Sequence, residues 1–516
     1  MKKLAYISAL ALFFSCFISC KKDKAITSPS AKLTFSQDSI LFDTVFTSIG
    51  STTKLFRIHN KNNGKLIISS LKLARGTASF FRLNVDGVPG KSFTNLEIAA
   101  QDSMYIFVEV TINPAYDPIT SPFIYKDSIL FEINGNQQHF DLIAFGQNAY
   151  YHMPNYKIIE SPTTALYYSL DTNVVGHASV TWKNDKPHLI YGYLVVDSLH
   201  NLIIPQNTKI YLHDGAGIWV YRFGNIQING AKDFEVTFQG DRLEQEYKDV
   251  PGQWDRIWIN EGYSANIINY AIIKNATIGI HAGYSLLDGY ENGQTTYTPP
   301  NTTRLFLTNT IIQNCSYAGI LGHCYNIDGG NDVVVNCGSH LLEFDYGGNY
   351  TFYQSTFANY WEQTNNSSSS SSRTTPSFVF NNYFNGNQPK QPSPFDTLLF
   401  GNCIFDGSLA EEFNFDTIGN SSPPGFTDPS VFAFNYCFLK TGNLQQNKAP
   451  TNTCQISQGI SYVSPSTYNF VLNPGSAPLG AGRPQYNGGY IMDIKGNSPS
   501  TSATNPFGYP NMGAYQ

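Results

Sequence analysis

A short phrase occurs three times between residues 272 and 337 and decides the fold: Ile272-Ile273-Lys274-Asn275-Ala276, Ile311-Ile312-Gln313-Asn314-Cys315 and Val333-Val334-Val335-Asn336-Cys337. Each copy is a β-branched apolar run closed by Asn and a small residue, and a second apolar pair follows after a short turn. Later copies return at roughly 20 residues, the length of one solenoid coil. The repeat predicts a parallel β-solenoid in which the Asn takes a left-handed turn and its amide bonds the stacked neighbours.

Composition limits the class of protein. The 516 residues include 33 Tyr and 36 Phe, whereas charged residues make up only 14%. Many aromatic residues with few charges are typical of an all-β protein outside the cytoplasm. The formal net charge of −6 argues against a nucleic-acid partner, which requires a basic stripe.

The N-terminus predicts export and anchoring. Lys2 and Lys3 precede an apolar run too short to span a membrane, as in a signal peptide. The end of this run, Phe17-Ile18-Ser19-Cys20, resembles the bacterial lipobox, which implies a signal peptide over 1–19, lipidation of Cys20 and a tether over 20–31. We therefore expect a lipoprotein of the bacterial cell envelope, at the outer membrane or cell surface, that contacts the membrane through its lipid. The alternative is an ordinary cleaved signal with chance cysteines.

Residues 32–147 have the pattern of a β-sandwich. Phe56 and Ile58 alternate with Arg57 and His59, and Asn134-Gly135-Asn136 separates two strand-like runs as in a hairpin. Short strands at this spacing indicate an Ig-like sandwich. The segments Leu41-Phe42-Asp43-Thr44-Val45 and Val110-Thr111-Ile112-Asn113-Pro114 resemble Ig-like domains of the ASPM/SPD-2/Hydin type. That resemblance implies a spacer or protein-binding module.

The remaining chain divides into three parts. We predict a cap with the first solenoid strands over 148–200, a β-helix over 201–440 and a C-terminal cap over 441–516. The insertions at 284–303 and 365–377 are expected outside the coil. The segments 473–482, 493–496 and 510–515 resemble the closing segment of secreted bacterial parallel β-helix proteins. The predicted fold class is all-β: an N-terminal Ig-like β-sandwich followed by a right-handed single-stranded parallel β-helix of the pectate-lyase-like type.

One candidate site is the charged loop over residues 239–258. Its predicted ligand-binding residues are Trp254, Trp258, Asp241, Glu244 and Arg256, and Asp255 is a candidate catalytic acid. Carboxylates there could bind Ca²⁺, the one cofactor considered, or act as general acid and base on a glycan, while Trp rings stack on sugars. The alternative is a loop closed by its own salt bridges, with both Trp packed on the coil.

The second candidate site follows the second strand of each coil. His281, His323, Glu343 and Asp345 would share one face if the coils stack in register. Gly322-His323 resembles the Gly-His of pectinase-like hydrolases, although the chain has no Asp-Asp pair, and no Lys or Arg accompanies these residues as in a lyase. The alternative is a set of turn residues. No metal-ligand set is predicted here.

Six cysteines follow Cys20: Cys315, Cys324, Cys337, Cys403, Cys437 and Cys454. None forms a C-x-x-C pair, which disfavours zinc or thioredoxin chemistry. We predict buried thiols stacked in the core, with Cys315, Cys337 and Cys403 at matching points of the coil; a disulfide is the alternative.

These patterns do not decide whether the protein is an enzyme. The leading hypothesis is a non-catalytic β-helix face that binds a polysaccharide or a surface protein. The alternative is a carbohydrate-active enzyme, a polysaccharide lyase or glycoside hydrolase, that uses the same face.

Overall fold

A computed structural model describes residues 24–116, 122–160, 163–169, 178–283, 304–361, 373–384, 391–392, 395–416, 432–441, 453–457, 459–499 and 505–516; for 156–169, 384 and 391–392 it describes the backbone alone. The predicted signal peptide, Cys20 and the insertion at 284–303 lie outside this part of the chain. The chain forms two compact units, Met1–Ala149 and Tyr150–Gln516. No helix within the described ranges is long and apolar enough to cross a membrane.

The first unit is a β-sandwich of ten strands. They are β1 Thr34–Phe35, β2 Ser39–Phe46, β3 Lys54–His59, β4 Leu66–Leu73, β5 Phe81–Val85, β6 Val88–Gly90, β7 Ser92–Ile98, β8 Ser103–Val110, β9 Phe123–Ile133 and β10 Asn136–Gln147. One sheet has the order β1-β3-β8-β5-β6 and the other β2-β10-β9-β4-β7. A short 3₁₀ helix, Gly76–Ala78, precedes β5.

The sandwich confirms the predicted alternation. Phe56 and Ile58 are buried while Arg57 is exposed, and the Phe56 ring stacks on Phe140 of the opposite sheet at 3.8 Å. The predicted hairpin joins β9 to β10 through Asn134 and Gly135, both with positive φ (49° and 82°). That geometry matches the right-handed twist of the strands.

The second unit is a parallel β-helix whose strands stack in three columns, named A, B and C in the order in which the chain visits them. Column A forms an 11-stranded sheet, and columns B and C together with the strand Tyr156–Glu160 form a 17-stranded sheet. The long strands Ala318–Gly330 and His340–Tyr353 run through columns B and C without a break. The fold class is thus the predicted one, an all-β chain with a sandwich followed by a parallel β-helix.

The strand bounds follow column by column. Column A contains Tyr150–His152, His188–Ile190, Lys209–Leu212, Val236–Gly240, Ala271–Lys274, Ile311–Gln313, Val333–Val335, Thr356–Asn359, Ile404–Gly407, Phe438–Leu439 and Gln455–Ile456. Column B contains Thr163–Ser169, Tyr193–Val196, Gly217–Val220, Ile257–Ile259, Ile278–Gly283, the first halves of the two long strands, Phe378–Asn381 and Phe413–Asp416. Column C contains Ala178–Thr181, His200–Pro205, Asn225–Asn229, Asn266–Asn269, Arg304–Thr308, the second halves, Phe395–Gly401 and Phe432–Asn435.

The remaining elements lie outside the columns. They are the strands Tyr156–Glu160, Tyr383–Phe384, Gln391–Pro392, Tyr462–Ser464 and Asn469–Leu472, and the 3₁₀ helices Gln245–Tyr247, Pro465–Thr467 and Pro484–Tyr486.

Two boundaries differ from the predicted ones. The backbone N–H of Ile26 donates to the Lys65 carbonyl at 2.9 Å, so the sandwich begins inside the predicted tether. Column A already contains Tyr150–His152 and continues to Gln455–Ile456. The first of these strands lies in 148–200, where the first solenoid strands were predicted, whereas the last shows that the β-helix continues beyond the predicted end at residue 440.

The repeated Asn residues do what the phrase predicts. Asn275, Asn314 and Asn336 follow successive column A strands, and all have a positive φ between 51° and 63°. The Asn314 side-chain amide donates to Asn275 Oδ1 at 2.8 Å. Left-handed backbone suits Asn better than a β-branched residue, and the amide links one coil to the next.

The prediction that Cys403 matches Cys315 and Cys337 is wrong. Register pairs Ile404 with Thr356 and Thr356 with Val333, so Asn402-Cys403 precedes a column A strand, whereas Asn336-Cys337 follows one. Asn402 belongs to a second left-handed corner, shared with Tyr270, Asn309, Asn331, Gln354 and Tyr436. Both corners require a left-handed backbone, which favours Asn, followed by a small residue in the core. The sequences at the two corners are therefore similar. Cys315, Cys337, Cys403 and Cys437 are fully buried thiols.

Two neighbouring histidines on the first two strands of column A, His152 and His188, should make the stability of the β-helix depend on pH. His188 Nε2 is 2.8 Å from the Lys183 carbonyl, His188 Nδ1 is 2.9 Å from His152 Nε2, and both rings stack on Trp182. The Lys183 carbonyl can only accept, so His188 Nε2–H donates to it; with His188 Nδ1 accepting from His152 Nε2–H, the His188 ring is neutral. Burial lowers the pKa of His152 to about 3, with the neighbouring His188 adding to the shift, and burial lowers the pKa of His188 to about 4.

We expect stability to fall as the pH drops from about 6.5, the pKa of an unfolded histidine, towards 3. Between those values the unfolded chain binds more protons than the folded one, so the free energy of unfolding rises with pH. Urea unfolding followed by Trp fluorescence between pH 7 and 4 measures this slope. In His152→Gln/His188→Asn the slope should flatten. An unchanged slope would contradict the assignment.

Candidate functional site on column B

Two lines of side chains face outward from column B. Register places Trp219, Trp258, His281, Leu321 and Glu343 at successive levels of the first line. They alternate with core residues such as Ile257, Ile259, Ile280 and Leu342 because successive side chains of a strand point to opposite faces. Trp219, Trp258 and Glu343 are half-buried, whereas His281 and Leu321 are only 5% and 7% exposed. His323 and Asp345 form the second line, two residues further along their strands. We call these seven outward residues, Trp219, Trp258, His281, Leu321, Glu343, His323 and Asp345, the column B ladder.

The aromatic part of the ladder is stacked on itself. The ring centroids of Trp219 and Trp258 are 4.8 Å apart with an interplanar angle of 11°, and Trp258 stacks on His281 at 5.5 Å and 4°. Trp219 Nε1 donates to Asn260 Oδ1 at 2.7 Å, which fixes the first ring. Ring faces within the stack are covered by their neighbours, so the ladder offers ring edges rather than faces. An aromatic edge carries positive partial charge and suits an oxygen atom.

A chain of two hydrogen bonds and one longer ion-pair contact runs across four coils of the ladder. Arg256 Nη1 lies 3.2 Å from His281 Nδ1, and His281 Nε2 lies 3.3 Å from His323 Nδ1. His323 Nε2 lies 3.6 Å from Asp345 Oδ2. If each Nδ1 accepts and each Nε2–H donates, the chain leads from a guanidinium to a carboxylate. Asn381 also donates to Asp345, so both ends of the chain are held.

Glu343 has the properties of a proton donor. Burial raises the pKa of its carboxyl group, and Asp345 on the same strand raises it further. The Tyr317 hydroxyl donates to Glu343 Oε1 at 3.2 Å, while Oε2 is buried without a hydrogen-bond partner among the described residues. Two carboxyl groups held in different environments on one strand are a recurring arrangement for general acid and base.

The charged loop over residues 239–258 is closed largely by its own ion pairs, which was the alternative to a binding site in this loop. Arg242 pairs with Glu244 at 3.1 Å, and Arg256 with Asp255 at 3.1 Å. His213 Nδ1 lies 2.7 Å from Asp241 Oδ2, although burial still raises the pKa of Asp241. Asp241 and Glu244 are thus held by partners within or beside the loop. Arg256 contacts the ladder through His281, whereas Asp255 is bound by Arg256 and by the Tyr193 hydroxyl.

The Asn corner of the coil fixes this loop in place. The Asn275 amide donates to the Lys248 carbonyl at 2.9 Å, and the Asn314 amide donates to the Asp249 carbonyl at 2.9 Å. These contacts position Asp255 and Arg256 at the base of the ladder.

Trp254 is withdrawn as a ligand-binding candidate. Its side chain is 1% exposed in the core of the β-helix, and its Nε1–H donates to the Lys274 carbonyl at 2.9 Å. Trp258, by contrast, is half-buried on the ladder. The two rings differ because Trp254 lies outside a regular strand and turns inwards at the corner.

Sequence reasoning missed Trp219 and Tyr317. Trp219 follows Gly217-Ile218 as Trp258 follows Arg256-Ile257, so aligning the coils on their inward Ile would have found it. Tyr317 precedes its strand in a turn, and no periodicity marks it. Within the described ranges, no three His, Cys, Asp or Glu side chains converge as metal ligands, so the Ca²⁺ hypothesis gains no candidate ligand set there.

Comparisons with known proteins found weak similarity to solved structures alone. No family model and no curated protein matches the chain. Among solved structures, it is similar to an ASH/PapD-like domain of human CEP192 (13% identity, 23% of this chain and 89% of that one, TM-score 0.17). It is also similar to the periplasmic chaperone SfaE (7%, 23% and 58%, 0.16) and a family 123 glycoside hydrolase from Clostridium perfringens (10%, 22% and 25%, 0.15). At these scores none bears on function.

Proposed function

We propose that this protein is a cell-envelope lipoprotein whose β-helix binds a polysaccharide along the column B ladder without cleaving it. The observation that carries the proposal is the ordered row of ring edges and hydrogen-bonding groups across successive coils. Neighbouring strands lie about 4.8 Å apart, so the row offers regularly spaced contacts to an extended chain. Stacking and inter-coil hydrogen bonds pre-organise these groups, which lowers the entropy lost on binding.

The ladder chemistry favours a glycan over an apolar ligand. The positive ring edges of Trp219 and Trp258 suit sugar oxygens, and the His and carboxylate groups bond hydroxyls. The lipid anchor would hold this face at the cell surface.

We expect Trp258→Ala to weaken polysaccharide binding about tenfold, which corresponds to about 1.4 kcal/mol. The substitution removes the central ring of the stack and leaves Trp219 and His281 without a shared neighbour. Affinity electrophoresis against a panel of neutral and uronate-containing polysaccharides measures the effect. Phe306→Ala is the matched control, because Phe306 is an outward aromatic residue of column C. Equal retardation of wild type and Trp258→Ala on every polysaccharide would contradict the proposal.

Glycan cleavage is the second candidate function, and Glu343 is the observation that favours it. Its raised pKa beside Asp345 would let Glu343 protonate a leaving oxygen while Asp345 acts as base or nucleophile. Under this hypothesis Glu343→Gln should lower the production of new reducing or unsaturated ends by about 10²–10⁴-fold. Glu246→Gln in the charged loop is the matched control. A glycan that is bound but yields no new ends with wild-type protein would rule out cleavage of that glycan.

Glu343→Gln also tests the environment of the carboxylate. A folded-state pKa above the unfolded value means that the folded protein binds more protons, so stability falls as pH rises through that window. We expect Glu343→Gln to raise the Tm at neutral pH. A lower Tm would show that the ionised carboxylate stabilises the fold.

A further inference from the structure

A second cleft lies at the last coil, beside column A. It has a volume of about 400 Å³ and is lined by residues of the final corner and the C-terminal cap: Tyr436, Thr453, Gln455, Gly480, Ala481, Arg483, Asn505, Pro506, Phe507, Tyr509 and Met512. The volume falls within the range of small-molecule sites, about 300–1,000 Å³. The column B ladder contributes none of these residues.

Arg483 places a positive charge in this cleft. Its guanidinium lies 4.3 Å from the Tyr509 ring centroid and 4.9 Å from that of Tyr436. Nη1 donates to the Gly482 carbonyl at 2.8 Å and the Ala481 carbonyl at 3.3 Å. No carboxylate among the described residues pairs with Arg483, although Arg is the side chain best suited to grip a carboxylate with two parallel hydrogen bonds.

The position of Arg483 is fixed by the fold. Its backbone N–H donates to Asn402 Oδ1 at 2.9 Å, and its carbonyl accepts from Asn402 Nδ2 at 2.8 Å. Asn402 belongs to the left-handed corner of the coil, so the guanidinium is anchored to a rigid element. An anchored, half-buried cation loses little entropy when it binds an anion.

The other walls supply a platform and a hydrogen-bonding group. Phe507 is 74% exposed and its ring packs on Tyr509 at 5.4 Å and 28°. Gln455 Nε2 donates to the Ala477 carbonyl at 2.9 Å, whereas its Oε1 is buried and lacks a hydrogen-bond donor in the described part of the chain. A large exposed aromatic ring beside an unpaired acceptor suits a ring-shaped ligand with an apolar face and hydroxyl groups.

We propose that this cleft binds an acidic sugar residue of a glycan, with the sugar carboxylate on Arg483 and the ring on Phe507. The guanidinium gives charge selectivity, and the aromatic ring gives shape selectivity. This site is separate from the column B ladder and does not depend on the function proposed for it.

The test is calorimetric titration of the full mature chain with short galacturonic acid oligomers and with galactose oligomers of the same length. We expect the acidic oligomer to bind, Arg483→Gln and Phe507→Ala each to weaken it at least about tenfold, and rising salt to weaken it in wild type. Arg57→Gln is the matched control, because Arg57 is an exposed arginine that also lies over a tyrosine, Tyr105. Phe507→Ala keeps the test decisive if Arg483→Gln fails to fold, because the Phe507 side chain is largely in solvent and its removal should leave the fold intact.

Several outcomes would overturn the proposal. One is no binding of the acidic oligomer, and another is equal binding by wild type and both cleft variants. Galactose oligomers that bind as tightly as the acidic ones would remove the role of the carboxylate. Loss of acidic-oligomer binding in Trp258→Ala but not in Arg483→Gln would place that ligand on the ladder, which overturns the cleft and leaves the proposed function standing. Tighter binding of a peptide with a free C-terminal carboxylate would replace the sugar as ligand class.

Discussion

Replacing Arg373 with alanine is expected to lower the free energy of unfolding of the β-helix by about 3–5 kcal/mol, the usual cost of breaking a buried ion pair. Arg373 Nη2 and Nη1 lie 2.6 and 2.9 Å from the two carboxylate oxygens of Glu412, and neither side chain is exposed. Removal of the guanidinium leaves the Glu412 charge buried. The free energy is lost because that charge must then be solvated inside the core or protonated.

The pair also holds backbone together. Glu412 accepts from the backbone N–H groups of Ser377 at 3.1 Å and Leu409 at 2.9 Å, and Arg373 donates to the Thr375 carbonyl. For this reason the double variant Arg373→Met/Glu412→Leu should recover only part of the loss. It removes the unpaired charge but leaves two backbone donors without acceptors, each costing about 1–3 kcal/mol.

Urea unfolding followed by Trp fluorescence measures both variants in the full chain. All five tryptophans lie in residues 150–516, so this signal reports on the β-helix unit. Lys232→Ala is the control, since the Lys232–Asp233 pair of the β-helix unit is solvent-exposed and such pairs contribute at most about 1 kcal/mol. An Arg373→Ala midpoint within error of wild type would contradict the account.

Replacing Trp254 with alanine is the second large effect, also about 3–5 kcal/mol of destabilisation. Trp254 is among the largest fully buried side chains, and the loss of its ring leaves a cavity at the corner that carries Asn275 and Ala276. The Lys274 carbonyl also loses the indole N–H. Incomplete collapse of such a cavity is what makes the cost large.

Two variants separate these causes, measured by the same unfolding experiment. Trp254→Phe keeps most of the volume but not the donor, and should cost about 1–3 kcal/mol. Trp258→Ala removes a half-buried ring and should destabilise the protein less than Trp254→Ala. If Trp254→Ala proved neutral, Trp254 would have to be returned to the surface and to the ligand-binding candidates.

Local pattern predicts the parts of this fold that depend on neighbouring residues. The alternation of Phe56 with Arg57, the hairpin at Asn134-Gly135 and the left-handed Asn275, Asn314 and Asn336 each follow from preferences of one or a few adjacent residues. The same preferences misplaced Cys403, because both corners of the coil favour Asn and then a small residue. The Asn-small sequence therefore predicts a left-handed backbone, but it does not predict which of the two corners of the coil the residues occupy.

The column B ladder was predicted only in part, because only some of its members follow from the repeat. His281, His323, Glu343 and Asp345 could be placed on one outward face because register follows from the repeat. Trp219 was missed because coil lengths vary, so a local pattern does not show which residue of the next coil it stacks on. Trp254 was misplaced because a local pattern does not show whether a loop side chain turns into the core.

The sequence by itself determined the alternation along the sandwich strands, the left-handed Asn of the coil corner and the class of the fold. Only the tertiary structure decided which polar groups meet: Arg256 with His281, His323 with Asp345, and Arg373 with Glu412. Local preferences act between adjacent residues, whereas these pairs join residues on different coils or across long insertions. Their contact depends on how many residues each turn contains, and the free energy of burying the whole core sets that number.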